Sequence, residues 1–267
     1  MPTLDVNGTT LHYEDTGGGG PPIVFSHGLL WSGRMYAAQV EHLRGRFRCI
    51  TYDHRGQGQS PPSARPYDME ALADDAAALI DALGARPCHF VGLSMGGFVG
   101  MRLAARRPEL LRSLVLLDTA ADGEPRRNVP KYRLMALVTR LVGYRPLLGS
   151  VMKIMFGPAF RRDPARAALR RELQEHLLAL RVGPTQAALE AVITRRPVVR
   201  ELGRIHVLTT VVEGADDAAV VHARARATAG LIPGARYVEI PRAGHTATVE
   251  EPAAVNAALD AHFAAAR

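Results

Sequence analysis

The sequence predicts an α/β fold: a mostly parallel β-sheet with helices on both faces and one inserted helical segment. Two observations carry this prediction. Short apolar runs bounded by turn residues recur along the 267-residue chain, which is typical of strands buried on both faces of a parallel sheet. Amphipathic helical patterns lie between these runs, and such alternation indicates a parallel α/β architecture. A chain of this length can form that architecture as one domain.

The first predicted element is a β-hairpin. Residues 4–6 and 10–13 flank Asn7-Gly8, a pair that strongly favours a two-residue hairpin turn. A loop rich in glycine and proline follows at residues 17–22. The remaining apolar runs predict six more strands, at residues 23–26, 47–52, 88–93, 113–117, 207–212 and 236–240.

Three helices are predicted between and after these strands. Residues 68–83 carry one apolar stripe, with Asp68 placed to cap the start of the helix and Gly84 its end. A second helix over residues 96–106 must end before Pro108. The third covers residues 252–265 and is amphipathic.

Residues 121–205, called the helical insertion below, break the alternation. Leucines 169, 173, 177 and 180 form a helical stripe after Asp163-Pro164, a good capping residue and first helical position. Six further prolines, at positions 125, 130, 146, 158, 184 and 197, divide the segment into short pieces. The pattern predicts a helical cap, residues 121–205, inserted between two strands of a core domain formed by residues 1–120 and 206–267.

Composition excludes several classes of protein. An apolar share of 47% and a charged share of 22% are typical of globular chains rather than disordered or fibrous ones. No apolar run reaches 18 residues, and the first residues do not resemble a signal peptide, so neither a membrane span nor secretion is expected. Cys49 and Cys88 both lie in apolar runs, which favours reduced, buried thiols in a cytoplasmic protein.

The net charge of +7 comes from the helical insertion. The insertion holds 17 Lys and Arg against 7 Asp and Glu, while the rest of the chain holds 16 against 19. Because these arginines are not interleaved with aromatic side chains, a nucleic-acid partner is not expected. Two interpretations stay open, a solvated helical surface or arginines presented to an anionic substrate, and a basic surface for acidic partners is a weaker idea. The oligomeric state cannot be predicted from the sequence.

The segment that carries chemistry is Gly92-Leu-Ser94-Met-Gly96, which follows a buried strand and precedes a helix. A serine on such a sharp turn exposes its hydroxyl, and glycines two positions away on either side relieve the crowding. The helix start adds free amides, so the Met95 N–H could point at a developing oxyanion. An ordinary glycine-rich turn is the alternative. The context favours Ser94 as a catalytic nucleophile.

A serine nucleophile needs a base, and the base needs an acid that orients it. Of ten histidines, His245 lies in a loop between the last strand and the last helix, where open α/β sheets build their sites. Asp217, just after the preceding strand, is the preferred acid. Asp216 and Asp118, which closes another strand, remain alternatives.

The loop after residues 23–26 is the candidate for a second oxyanion donor. Gly28 allows close approach of the backbone, and the Leu29 N–H is the predicted donor. His27 is expected to shape this loop by hydrogen bonding rather than to act as a base. Leu30 and Trp31 are expected to line the substrate pocket, although Trp31 could instead belong to the core.

Phosphate and metal sites are not indicated. The loop at residues 52–60 contains Gly-x-Gly without the third glycine of a dinucleotide site, and Asp53 and Arg55 are expected to hold it structurally. No His-x-His, His-Glu-x-x-His or Cys-x-x-Cys motif is present. We therefore expect no metal and no cofactor.

Five motifs in order resemble those of the α/β-hydrolase superfamily: His27-Gly28, the loop at 53–60, the elbow at 92–97, the loop at 214–217, and Ala243-Gly-His245. The resemblance covers essentially the whole chain. It implies an eight-stranded sheet with a cap between strands six and seven. It also implies Ser94, Asp217 and His245 as the triad, backbone oxyanion donors at Leu29 and Met95, and no cofactor.

Within the superfamily the chain looks most like 3-oxoadipate enol-lactonases and related small esterases. The expected activity is hydrolysis of a small-molecule carboxylic ester or lactone. Carbon–carbon bond hydrolases and cofactor-free haloperoxidases share the triad and remain alternatives, whereas haloalkane dehalogenases place aspartate where this chain has Ser94. An alternative of another class is a ligand-binding module of this fold without turnover. The sequence does not predict the substrate itself.

Overall fold

A computed structural model describes residues 2–63 and 67–266 of the chain. Within those residues, eight strands form one sheet, with the order β1-β2-β4-β3-β5-β6-β7-β8. The strands are β1 (Thr3–Val6), β2 (Thr9–Asp15), β3 (Pro22–Ser26), β4 (Arg48–Tyr52), β5 (Cys88–Leu93), β6 (Leu111–Leu117), β7 (Leu208–Gly214) and β8 (Arg236–Ile240). The predicted strands are thus confirmed, with ends that move by at most two residues.

The sheet is antiparallel only at its first edge. β1 pairs with β2 and β2 with β4 in antiparallel register, while β4, β3, β5, β6, β7 and β8 run parallel. Asn7 and Gly8 both adopt positive φ, as a tight hairpin turn requires. The parallel strands therefore place their carboxyl ends along one edge of the sheet.

The helices cover both faces of the sheet. Apolar clusters lie on each face, one around Leu72, Phe90 and Leu114, the other around Phe25, Val91 and Leu259. The α-helices in the described residues are α1 (Ala37–Leu43), α2 (Met69–Ala82), α3 (Met95–Arg106), α4 (Val129–Val142), α5 (Leu148–Met155), α6 (Pro158–Arg162), α7 (Ala167–Leu178), α8 (Val182–Ile193), α9 (His222–Leu231), α10 (Ala247–Glu250) and α11 (Pro252–Ala265).

The predicted ends of α2 have a visible cause. The Asp68 side chain accepts a hydrogen bond from the Ala71 amide, which satisfies one free amide at the helix start. Past its end, Gly84 adopts a φ of +59°, the left-handed conformation that ends many helices. Between these ends, α2 packs against α3, the helix that follows the predicted nucleophile.

Helices α4 to α8 lie between β6 and β7, where the sequence predicts the helical insertion. Leu173 and Leu177 of the predicted leucine stripe are buried, and Leu169 and Leu180 pack beside the same cluster. The division into a core domain and a cap at residues 121–205 stays a prediction.

Three further observations concern the described residues as a whole. Cys49 and Cys88 are free and buried, and burial raises the pKa of each thiol to about 12. Among the described residues, no helix is both long and apolar enough to cross a membrane. In the same residues, no group of three His, Cys, Asp or Glu side chains is arranged to hold a metal ion.

Candidate active site

Ser94 lies on the sharp turn between β5 and α3. Its φ of +51° and ψ of −108° are strained for a residue with a side chain. Three hydrogen bonds hold this conformation: the Ser94 amide donates to Leu117 O at 2.8 Å, and Ser94 O accepts from Thr119 Oγ1 at 2.9 Å and from the Phe98 amide at 3.0 Å. The helix therefore begins at Met95, one residue before the predicted start.

The glycines on either side of Ser94 are required by close backbone approach. A Cβ atom on Gly92 would lie closer than 3.0 Å to the backbone of Gly96 and Gly97. A Cβ atom on Gly96 would lie closer than 3.0 Å to Ser26. Both distances are shorter than real Cβ contacts, so this turn excludes larger residues at both positions.

His245 reaches Ser94 from the loop after β8. Its Nε2 lies 3.0 Å from Ser94 Oγ, and its Nδ1 lies 2.8 Å from Asp217 Oδ2. With the proton on Nδ1, the imidazole donates to Asp217 and can accept the serine proton. The three side chains predicted from separate strand ends are therefore brought together in one relay, and all three are buried.

The three candidate acids occupy different positions. Asp217 holds its own loop, because its Oδ1 accepts from the Ala219 and Val220 amides at 2.7 and 2.9 Å while Oδ2 faces His245. Asp216 is exposed. Asp118 is buried and accepts from the Gly214 amide at 2.7 Å and the Ala247 amide at 3.3 Å. Geometry favours Asp217 as the partner of the histidine.

The surroundings of His245 favour its protonated form. Burial alone would lower its pKa, but the Asp217 charge and hydrogen bond, together with Asp118 and Glu250, outweigh burial and raise the pKa to about 9. Burial and the neighbouring Asp217 in turn raise the pKa of Asp118 well above its usual range. The neighbouring carboxylates therefore favour uptake of a proton by the His245 imidazole.

Glu250 supports the histidine loop and was not found from the sequence. Its carboxylate is buried and accepts from three amides, those of Gly157 at 2.7 Å, Gly244 at 3.0 Å and Thr246 at 3.1 Å. It thereby ties the histidine loop to the turn between α5 and α6. Burial raises its pKa to about 7. No local pattern around Glu250 distinguishes it from its neighbour Glu251, so the sequence carries no signal for this role.

The two predicted oxyanion donors border the same site. In the part of the chain that the structure describes, neither the Leu29 nor the Met95 amide has a hydrogen-bond acceptor. The first loop passes beside the turn at Ser94, since a Cβ atom on Gly28 would lie 3.1 Å from Leu93 Cδ2 and 3.5 Å from the Ser94 Cβ. Met95 opens α3, so the helix dipole adds positive potential at its amide.

His27 shapes the loop, as the sequence indicated. Its Nδ1 donates to Gly28 O at 2.7 Å and its Nε2 accepts from the His54 amide at 3.0 Å. Burial lowers its pKa, which keeps the ring neutral. Asp53 likewise holds its loop, accepting from the Gly33 amide at 2.7 Å and the Gln59 amide at 2.8 Å, while Arg55 is paired with Asp75.

The structure places Trp31 in the apolar core, the second of the two positions expected for it, and not among the residues that line the cavity beside Ser94. Its ring stacks on His176 with centroids 5.6 Å apart and meets the edge of Phe156 at 6.2 Å, inside the apolar cluster below the insertion. Leu30, which precedes it at a positive φ of 69°, does line the cavity beside Ser94. The neighbouring side chains of Leu30 and Trp31 therefore lie in different places, Leu30 at the cavity and Trp31 in the core.

A cavity of about 140 Å³ opens onto Ser94 and His245. Helices α4, α5 and α8 supply much of its wall, opposite Leu29, Leu30 and Phe98. Most of the side chains that line it are apolar: Leu29, Leu30, Phe98, Met135, Ala136, Leu147, Val151, Ile154, Met155, Leu189, Val192, Ile193, Ala219 and Val220. A substrate group bound there would lie directly beside the serine hydroxyl.

The fold and this site define a class of protein. A family model described as the alpha/beta hydrolase fold matches residues 21–252. The chain belongs to the α/β-hydrolase fold family, as the motifs indicated, and is a hydrolase in the broad sense of that family.

Individual relatives cover nearly the whole chain. A Pseudomonas syringae protein named provisionally as a carbamate hydrolase is 30% identical over 90% of this chain and 93% of its own. An enol-lactonase from Burkholderia xenovorans is 32% identical, covering 98% of this chain and 100% of its own, with a TM-score of 0.89. An esterase from Thermogutta terrifontis is 27% identical, covering 100% and 99%, with a TM-score of 0.91.

Proposed function

We propose that the chain is a serine hydrolase that cleaves carboxylic esters or lactones through a covalent acyl-enzyme. The observation that carries the proposal is the 3.0 Å contact between Ser94 Oγ and His245 Nε2, with Asp217 hydrogen-bonded to the other side of the ring. Similarity to an enol-lactonase and an esterase supports the same reaction class.

The first half-reaction forms the acyl-enzyme. Ser94 Oγ attacks the carbonyl carbon while its proton passes to His245 Nε2. The Leu29 and Met95 amides stabilise the oxyanion of the tetrahedral intermediate, an effect of about 3–4 kcal/mol per donor in other hydrolases. The bond to the leaving oxygen then breaks, and the imidazolium returns the proton to that oxygen.

The second half-reaction releases the acid. A water molecule gives one proton to His245 and attacks the acyl carbon, and collapse of the second intermediate returns the proton to Ser94 Oγ. Asp217 keeps the imidazole in one tautomer and stabilises its charged form throughout. Apart from the substrate and this water molecule, the groups used in these steps are side chains and amides of the chain.

The alternatives use the same side chains differently. A carbon–carbon bond hydrolase and a cofactor-free haloperoxidase share the triad, so the contacts of Ser94, His245 and Asp217 are common to all three reactions. The esterase or lactonase is preferred because of the two similarities above. A binding module of this fold would hold ligand in the same cavity without turnover.

The test compares wild-type protein with Ser94→Ala on p-nitrophenyl acetate. We expect kcat/KM to fall at least ~10⁴-fold, because the residue that forms the acyl bond is gone. Ser150→Ala, an exposed serine on α5, is the matched control and should retain activity. Equal hydrolysis by wild type and Ser94→Ala would overturn the assignment, and a wild type that binds esters without cleaving them would favour the binding module.

A further inference from the structure

The cavity beside Ser94 has few charged groups on its wall. Apart from His245, the ionisable acidic and basic side chains that line it within the described residues are Glu124 and Arg195. The remaining polar lining comes from Thr, Tyr, Gln and Ser94 itself. The charge on this wall therefore depends on how these two side chains are arranged.

Glu124 and Arg195 compensate each other. Arg195 Nη1 lies 3.3 Å from Glu124 Oε2, and both side chains are almost fully buried. The other carboxylate oxygen of Glu124 accepts from Asn128 at 2.7 Å. Burial lowers the pKa of Arg195 to about 10, so the guanidinium keeps its charge at neutral pH. The pair contributes no net charge to the cavity.

The guanidinium of Arg195 is held by further contacts. Nη1 also donates to Val192 O at 2.7 Å and Nε to Asp122 O at 3.2 Å, and the guanidinium lies 4.1 Å from the centre of the Phe98 ring. A substrate carboxylate placed here would add a second anion beside a cation that Glu124 already neutralises. Burying such an unpaired charge is strongly unfavourable.

Other arginines of the helical insertion bind elsewhere. Arg133 pairs with Glu190 on the surface, and Arg181 donates to Gly56 O, Gly58 O and Ser60 O. Arg166 donates to Glu250 O and Arg170 to Asp163 O. None of these four side chains lines the cavity. The excess of arginine in the insertion thus does not make the cavity cationic.

The size of the cavity limits the group that fits. An engineered apolar cavity of about 150 Å³ in another protein binds benzene, and the volume here is about 140 Å³. The acyl group becomes bonded to Ser94 in the first half-reaction and is released only in the second, so we place it in the cavity that Ser94 lines. A six-carbon apolar group has the matching size.

We propose that the substrate is an uncharged ester or lactone whose acyl part is apolar and about six carbons long, and that an acyl part ending in a carboxylate is rejected. The proposal rests on the proposed serine hydrolase function. It replaces the hypothesis that the arginine-rich insertion presents positive charge to an anionic substrate.

The experiment compares three p-nitrophenyl esters at pH 7.5: acetate, hexanoate and the monoester of adipic acid. Hexanoate and adipate have six-carbon chains that differ in the terminal carboxylate. We expect kcat/KM to rise up to about fourfold per added methylene from acetate to hexanoate. Hexanoate should exceed the adipate monoester at least ~100-fold, because the carboxylate would be buried without a free cation.

Glu124→Gln sharpens the test. Removal of the glutamate charge leaves Arg195 uncompensated, so the ratio of hexanoate to adipate activity should fall at least ~10-fold. Glu190→Gln is the matched control, since it removes the carboxylate of an exposed Arg–Glu pair that does not line the cavity, and the ratio should not change. The wild-type comparison needs no variant and decides the question if Glu124→Gln does not fold.

The outcomes separate the two proposals. Equal or faster hydrolysis of the adipate monoester, or no preference for hexanoate over acetate, overturns the substrate proposal while the hydrolase function stands. Failure of all three esters to react, with no labelling of Ser94 by a fluorophosphonate, overturns the hydrolase function and the substrate proposal with it.

Discussion

The carboxyl edge of the sheet and the helical insertion meet at one cavity but differ in nearly every physical respect. The sheet edge holds a strained serine, a buried imidazole and three buried acids in a dense hydrogen-bond network. The insertion faces the same space with mostly apolar side chains, a few neutral polar ones and one compensated ion pair. We infer that the edge supplies the reaction and the insertion selects the substrate.

This division can be tested by how substitutions act. A change at the sheet edge should alter the rate for every ester by a similar factor, because all esters share the same transition-state charges. A change in the insertion should alter the ratio between esters, because it acts on the bound apolar group. The predictions below follow that contrast, from the largest expected effect to the smallest.

Asp217→Asn should lower kcat/KM by about 10⁴-fold for all esters, since the amide no longer fixes the working tautomer or stabilises the imidazolium. Asp216→Asn is the adjacent control. Its carboxylate is exposed and makes no contact with His245, so activity should change by less than about threefold. Steady-state kinetics on acetate and hexanoate esters measures both variants. A larger loss in Asp216→Asn than in Asp217→Asn would reverse the assignment of the acid.

The pH profile reports the charge around His245. The ring must be neutral to accept the serine proton, and its neighbours raise its pKa to about 9. Activity should therefore fall on acidification, by about tenfold per pH unit below an apparent pKa that lies above the ordinary value of about 6.5. The profile of kcat/KM from pH 5 to 10 measures it. An acid limb at or below pH 6.5 would show that the neighbouring carboxylates do not act on the ring.

Met135→Ala tests the insertion. Met135 lines the cavity from α4, so its truncation should enlarge the space and raise the ratio of octanoate to hexanoate activity by about three- to tenfold. Leu134→Ala is the control on the same helix, because Leu134 is 61% exposed and does not line the cavity. Equal effects of the two substitutions on the ratio would mean that α4 does not select the acyl chain.

The sheet and the turn at Ser94 could be predicted because their signals are local. An apolar run followed by Gly-x-Ser-x-Gly specifies a buried strand and a crowded turn within ten residues. The loop at Gly28 and the loop at His245 were placed by the rule that parallel strands end at one edge. In each case the predicted residue lies where that rule requires it to lie.

Contacts that depend on tertiary packing could not be predicted from the sequence. Trp31 lies in the apolar core while its neighbour Leu30, at a positive φ, lines the cavity, and no nearby residue type signals that difference. The Glu250 carboxylate accepts hydrogen bonds from amides 93 and 6 positions away in the sequence. Arg195 pairs with Glu124, which is 71 positions away in the sequence. Because of this pairing, the arginine-rich insertion does not give the cavity a net positive charge. Such features depend on tertiary packing, not on local pattern.

The most direct measurement is covalent labelling of Ser94. A fluorophosphonate reacts with a serine only when an adjacent base and oxyanion donors activate it, so labelling followed by peptide mass mapping identifies the nucleophile. We expect one adduct per chain, on the peptide that carries Ser94, and none in Asp217→Asn on the same time scale. An unlabelled wild type, or an adduct on another residue, would contradict the account.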